Sequence, residues 1–325
     1  MARILSLGSA LMDIYLVDHD DLRPTAIGGE AIFGKVLVGS KVDIDQMRFE
    51  VGGGGVNSAV TFSRNGHEAI LMANIGRDMA GQTILGALDR EGVDNSYIES
   101  VARKNTGTSV ILLDSRGGER TILTCRGASN DFANFKAEDL ELTQPDYLYI
   151  TTLGGDLDTL EQFLVRAREM GVKVMLNPGV KELRQTERLI GLLKLVDILL
   201  VNRAEARELV PGASLGELLY HLSGYVSTVI ITDGMMGGIA TDGEEVYRFG
   251  IYEDVKVKDA TGAGDAFGSG FLSAIAVGKS FKQALVFASA NSTAVVSCVG
   301  ANGGVLSHGA LSHGAGLHPM PIQKL

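Results

Sequence analysis

Six short runs of strand character recur along the chain, each separated from the next by a longer stretch of helical period, and this alternation constrains the fold more than any other feature. The runs are Ile4 to Leu7, Ala69 to Ala73, Tyr147 to Thr151, Lys173 to Leu176, Ile198 to Val201 and Thr228 to Ile231. They are mostly apolar on consecutive residues, as strands are when both faces of a sheet are covered. Between Leu160 and Met170 the residues Leu160, Phe163, Leu164, Ala167 and Met170 share one helical face, and Gly171 follows as a C-cap would. Ser280-Phe281-Lys282-Gln283 has the spacing of a capping box and starts a helix through Ala284, Val286, Phe287 and Ala290. Strand and helix in turn predict a mostly parallel sheet covered on both faces. A chain of 325 residues with 45% hydrophobic content can fill that core, as one large α/β domain or two smaller ones.

Two regions break the alternation. From about Ile14 to Glu50 and from Gly107 to Cys125 the chain reads as strands and turns, with a hairpin of Thr108 to Leu113 and Arg120 to Thr124 around Ser115-Arg116-Gly117-Gly118. Both are expected to leave the main sheet and pair as a small flap that closes over a ligand; a plain surface insertion is the other reading. The start, Met1 to Val17, reads as a first strand rather than a secretory signal, and no segment approaches a membrane span. Cys125 and Cys298 are too few and too far apart for a disulfide framework or a zinc site, and fit buried, reduced thiols in the cytoplasm. From Leu306 onward a short duplication sets His308, His313 and His318 at intervals of five, and this reads as a flexible tail rather than a metal site. The net charge of −10 argues against nucleic acid as a partner, so an anionic ligand has to be held by local N–H groups and a metal.

The chemistry concentrates in two glycine-rich segments. Asp259 to Leu272 runs Asp-Ala-Thr-Gly-Ala-Gly-Asp-Ala-Phe-Gly-Ser-Gly-Phe-Leu, a small-residue turn, then a carboxylate, then an apolar helix. A helix start leaves four N–H groups unpaired and attracts polyanions, and Gly262, Ala263 and Gly264 leave the approach open. Asp265 at its mouth is placed to take a proton from a hydroxyl as phosphate charge is neutralised beside it, or simply to cap the helix. The second segment, Gly52-Gly53-Gly54-Gly55-Val56-Asn57, precedes a helical run through Ala59, Val60 and Phe62 that ends near Gly66, and lets a polyhydroxylated ligand approach the backbone beside Asn57. Neither segment continues into Gly-Lys-Ser/Thr, and no dinucleotide fingerprint is present, which argues against a Walker-type site and a dehydrogenase.

Taken together the segments resemble a known family. Gly52 to Asp78, ending Asn74-Ile75-Gly76-Arg77-Asp78, resembles the first signature of the ribokinase-like (PfkB) carbohydrate kinases, and Asp259 to Leu272 resembles the second, about 200 residues on. The resemblance runs from Gly8-Ser9-Ala10-Leu11-Met12-Asp13 to Val299-Gly300-Ala301. It implies a Rossmann-type three-layer α/β sandwich with a mostly parallel central sheet and a small β-strand lid. One such domain is expected over residues 1–325, the lid at about 14–50 and 106–125 and the tail at 306–325. It implies an ATP-dependent kinase acting on a primary hydroxyl of a ribose- or fructose-like sugar. Asp265 is then the catalytic base, and Gly262, Ala263 and Gly264 form the anion hole with it. Asp13, Gly52, Gly53 and Asn57 hold sugar hydroxyls. Asn177, Thr232, Gly234 and Asn291 meet the nucleotide. Asn202 and Glu205, from Asn202-Arg203-Ala204-Glu205, bind Mg²⁺ through water, and Asp259 and Thr261 bind a monovalent cation such as K⁺, with carbonyls near Val295, Cys298 and Gly300.

The chain departs from ribokinases proper where they resemble Gly-Gly-Lys-Gly-x-Asn, because Gly54 stands in place of the lysine. With no basic residue in that loop, a neutral sugar or nucleoside is favoured over a sugar phosphate, unless Arg103, Lys104, Arg116 or Arg120 near the flap supplies charge. A nucleoside kinase of the same family is the alternative, favoured if an aromatic ring such as Tyr15 or Phe33 stacks on a base. A catalytically silent sugar- or nucleotide-binding regulator is the second alternative. Flap pairing between two copies would make a homodimer.

Overall fold

The computed structural model describes residues 1–17, 25–27, 30–32, 39, 41–44, 46–114, 119–252, 255–313 and 320–325. Its centre is a ten-stranded sheet in the order β16-β15-β14-β13-β12-β11-β10-β1-β6-β7. In chain order these are β1 (Arg3–Leu7), β6 (Glu68–Gly76), β7 (Asp94–Val101), β10 (Tyr147–Ile150), β11 (Lys173–Leu176), β12 (Ile198–Asn202), β13 (Thr228–Thr232), β14 (Gly238–Thr241), β15 (Val246–Phe249) and β16 (Ile322–Lys324). Pairing is parallel from β13 to β7 and antiparallel from β13 to β16. All six strands expected from the sequence are present and adjacent. Their consecutive apolar residues serve two cores: Leu5, Leu7, Leu148, Ile150, Leu199 and Val201 face one side, and Ile4, Tyr149, Met175, Ile198 and Leu200 the other.

Helices cover both faces. On the first lie α3 (Ala137–Thr143), α4 (Leu157–Met170), α5 (Val180–Leu183), α6 (Thr186–Leu193), α7 (Arg203–Leu209) and α8 (Leu215–Ser223), and on the second α1 (Gly54–Arg64), α2 (Met79–Glu91), α9 (Ala263–Ala276) and α10 (Phe281–Val296). α4 buries Leu160, Phe163, Leu164 and Ala167 and ends at Gly171 in the left-handed region (φ 71°). α10 starts with the expected capping box of Ser280 and Gln283. The chain adds β6 and β7 on one side of β1 and then returns to place β10 on its other side. That reversal opens a crevice at the C-terminal ends of β1 and β10, the usual ligand position in such sheets.

The flap is a separate four-stranded sheet, β5-β2-β8-β9, formed by β2 (Leu11–Val17), β5 (Met47–Gly52), β8 (Gly107–Asp114) and β9 (Glu119–Cys125). β2 joins the two sequence regions, pairing antiparallel with β5 and parallel with β8. A short hairpin of β3 (Thr25–Ile27) and β4 (Glu30–Ile32) pairs only with itself among the described residues. The hairpin turn 115–118, including Arg116, and Phe33 lie outside the described residues.

Several expectations are corrected. Met1 to Val17 is two strands, because the chain breaks at Gly8, where a Cβ would lie 2.0 Å from Thr151 Oγ1 and 3.0 Å from Gly55 N. Two described parts of the tail are built in: α11 (His308–His313) buries Leu311, and β16 extends the main sheet from β15. His308 Nδ1 lies 2.8 Å from Asn65 O; the His313 side chain and His318 are outside the described residues. The thiols are not buried, since Cys125 on the outer strand of the flap is exposed and Cys298 is half-buried. Among the described residues no helix is long and apolar enough to cross a membrane.

Candidate active site

The site is organised around the first turn of α9. Gly262 precedes it at φ 76°, a left-handed conformation that L side chains rarely adopt, and a Cβ there would lie 2.5 Å from the Ala301 Cβ. Asp265 is therefore the third residue of the helix and does not cap it. Its Oδ2 accepts instead from Asn57 Nδ2 at 2.8 Å, in the first turn of α1. Burial raises the Asp265 carboxyl above the ordinary carboxylate range, and the Asn57 bond opposes this. Among the described residues the amides of Gly264 and Asp265 have no carbonyl or side-chain acceptor, so the helix start presents donors next to the carboxylate.

On one side of this turn lies the crevice under the flap. Asp13, in the middle of β2, is 5% exposed, and its carboxyl is pushed up to about 6, chiefly by burial, while a hydrogen bond with Ser109 and the charge of Arg126 act in the opposite sense. Gly52 closes β5 directly against it: a Cβ on Gly52 would lie 2.1 Å from Asp13 Oδ2. Gly53 (φ 93°) approaches the Ser9 carbonyl, and Gly54 and Gly55 donate to Ser9 Oγ and O. Asp13, Gly52, Gly53, Asn57 and Asp265 thus stand together. Lys104 is engaged with Asp131, Arg103 is exposed on the surface and Arg120 is half-buried on β9. The basic charge that reaches Asp13 belongs to Arg126, which sequence reasoning missed.

On the other side is a cavity of about 240 Å³ walled by Phe249, Tyr252 and Phe267, whose polar lining includes Thr232, Ser292 and Thr293. Gly234, Ala263 and Gly264 also line it, so the cavity opens onto the start of α9. Asn177, Asn202 and Thr232 mark the C-terminal ends of β11, β12 and β13; Asn177 Nδ2 donates to Leu200 O at 3.0 Å. Asn291 is the exception among the expected nucleotide residues. It is fully buried, with Nδ2 donating to Ala266 O and Oδ1 accepting from Leu306 N, so it ties α10 to α9 and to the tail. Its neighbours Ser292 and Thr293 face the cavity in its place.

Asn202 and Glu205 form a reciprocal cap on α7: Asn202 Oδ1 accepts from Glu205 N at 2.9 Å and Glu205 Oε2 from Asn202 N at 2.8 Å. Burial raises the Glu205 carboxyl, with the charges of Glu208 and Asp265 adding to the effect. Asp259, 1% exposed, accepts from Thr261 N at 2.9 Å and from Gly300 N at 3.0 Å. Beside it lie the buried hydroxyl oxygens of Tyr15 and Thr261, and the Tyr15 hydroxyl interacts with both Thr261 and Asp259. Tyr15 is wholly buried with Val17, Ile111 and Leu113, so its ring is not available to stack on a base. Sequence reasoning also passed over Glu182, a 1% exposed carboxylate that accepts from the amides of Leu153, Gly155 and Gly179 and fixes the loops after β10 and β11.

A doubly wound sheet with a lid, and a carboxylate at a helix mouth beside a cavity, places the molecule among the α/β folds that bind ligands at the C-terminal ends of their strands. The model for the pfkB family of carbohydrate kinases matches residues 1–307. The chain is 30% identical over 283 residues to the ribokinase of Haemophilus influenzae, covering 84% of this chain and 88% of that one. It is 29% identical over 307 residues to the ribokinase of Bacillus subtilis, covering 94% and 96%. Among solved structures, Arabidopsis thaliana ribokinase complexed with ribose and ATP superposes with a TM-score of 0.77 at 25% identity, covering 96% of this chain and 98% of that one. The chain belongs to the pfkB family of carbohydrate kinases. It is a phosphotransferase with a hydroxyl acceptor.

Proposed function

We propose that the chain transfers the γ-phosphoryl group of ATP to a primary hydroxyl of a ribose- or fructose-like sugar in the cytoplasm, with Asp265 as general base. The observation that carries this reading is the Asp265 carboxylate, held by Asn57 beside the unpartnered amides of α9 and between crevice and cavity. The acceptor hydroxyl gives its proton to Asp265 as its oxygen bonds to the γ-phosphorus, and the bond to the bridging oxygen breaks to release ADP. Gly262, Ala263, Gly264 and the Asp265 amide receive the charge that spreads over the transferring group. Asp13, Gly52, Gly53 and Asn57 hold the sugar. Asn177, Thr232 and Gly234 meet the nucleotide, with Ser292 and Thr293 in the place expected for Asn291.

Asn202 and Glu205 are the oxygen donors read for the nucleotide side: the cap engages the one side-chain oxygen of Asn202 and one of the two of Glu205, which leaves a carboxylate oxygen on Glu205. So small a donor set suits Mg²⁺ that keeps most of its waters. When bound, the ion would neutralise phosphate oxygens. The buried Thr261 Oγ1 beside the Asp259 carboxylate supplies oxygens of the kind that suit a monovalent cation such as K⁺. The outer face of the lid carries Phe49, Ile14, Val110 and Leu123 in one cross-strand row, with Phe49 61% and Leu123 59% exposed, a surface suited to a second copy of the chain.

The test is ADP release in a coupled assay across sugars and nucleosides. Release with pentoses or ketohexoses supports the proposal, release with nucleosides alone moves the acceptor class, and none above background with any acceptor points to a binding protein.

A further inference from the structure

The amide of Asn57 can face Asp265 in two ways, and only one of them is attractive. With Nδ2 inward it donates to Asp265 Oδ2; turned over, it would set its own oxygen against the carboxylate. The choice is made behind Asn57. Asn302 Nδ2 donates to Asn57 Oδ1 at 3.1 Å and also to the Val51 carbonyl at 2.8 Å. A main-chain carbonyl can only accept, so Val51 fixes which end of the Asn302 amide points inward, and that end fixes Asn57. The backbone of Asn302 is itself anchored to the last turn of α1, where Arg64 Nη1 donates to Asn302 O at 2.5 Å while Nε and Nη2 hold Glu91. Two residues earlier Gly300 donates to Asp259, and Ala301 packs against Gly262. A single loop therefore braces both the turn before α9 and the partner of Asp265.

We propose that Asn302 is a positioning residue for phosphoryl transfer, turning Asn57 so that its amide donates to Asp265. The inference rests on the reading of Asp265 as the base. Without the relay the Asn57 amide is free to turn over, and the carboxylate loses both its alignment and the donor that favours its ionised form.

The experiment compares kcat at saturating acceptor and nucleotide for Asn302→Ala, Asn302→Asp, Asn57→Ala and the Asn302→Ala/Asn57→Ala double variant, with thermal melts to check the fold. Asn302→Asp keeps the shape of the side chain and removes the donor. Both Asn302 variants should lower kcat roughly ten- to hundredfold with little change in nucleotide KM. In the Asn57→Ala background Asn302→Ala should cost less than about twofold, because its target is gone. Losses that multiply in the double variant, or a normal kcat in Asn302→Asp, overturn the relay. If Asn302→Ala does not fold, the same comparison is made with Asn302→Asp in both backgrounds. Asp265→Asn separates the levels: undiminished turnover there removes the base itself, whereas an inactive Asp265→Asn with multiplying Asn302 losses removes only the relay.

Discussion

Gly52→Ala tests the acceptor side of the site with one methyl group. A Cβ on Gly52 would lie 2.1 Å from Asp13 Oδ2, where real Cβ atoms keep at least 3.0 Å from their neighbours. Gly52 has no left-handed backbone to strain, so the whole effect falls on the carboxylate, which must retreat by about 1 Å from a buried position, a displacement that in active sites costs about 10²-fold. A hundredfold loss corresponds to about 2.7 kcal/mol. The assay is steady-state ADP release with the acceptor varied at saturating ATP and the reverse. Acceptor kcat/KM should fall about a hundredfold while the nucleotide KM stays within about twofold, because the cavity proposed for the nucleotide lies on the other side of α9. Unchanged acceptor kcat/KM in a folded variant would refute the role given to Asp13, and an equal loss on both substrates would show damage to the fold.

Two further outcomes follow from buried carboxylates. The Asp13 carboxyl is pushed up to about 6, so it accepts hydroxyl bonds fully only above that pH and loses this capacity as the pH falls through about 6. Acceptor binding measured by calorimetry without nucleotide should weaken on that acid side and be weak and flat in Asp13→Asn; constant wild-type affinity across the range would contradict the assignment. Glu182→Ala leaves the amides of Leu153, Gly155 and Gly179 without their acceptor in a site that is 1% exposed, and should cost at least about 3 kcal/mol in urea unfolding. A cost below about 1 kcal/mol would show that these loops do not depend on it.

The central strands were legible because burial on both faces makes them continuous apolar runs, as in Ile198 to Val201. β7 was not: Asp94-Asn95-Ser96-Tyr97-Ile98-Glu99-Ser100-Val101 is an edge strand with one solvated face, and its polarity hides it. β14 to β16 are short antiparallel additions, and β16 is placed only by its pairing with β15 across the chain. In the site, Asp265 and Asn57 stood out because each lies in a glycine-rich helix start. Their contact joins residues 208 apart, and the Asn302 contact behind it joins residues 245 apart. No local pattern carries such information. Asn291 was misread for a related reason: one residue's rotation around α10 decides between the cavity and the core, and Ser292 and Thr293 hold the cavity side.

The central claim is that Asp265 takes the proton from the acceptor hydroxyl. Asp265→Asn keeps the shape and the contact with Asn57 within reach while removing the base, so the most direct measurement is its kcat with the true acceptor, beside nucleotide affinity from calorimetry. The account predicts a loss of at least about a hundredfold in kcat with nucleotide binding retained. Turnover equal to that of the wild type would contradict it.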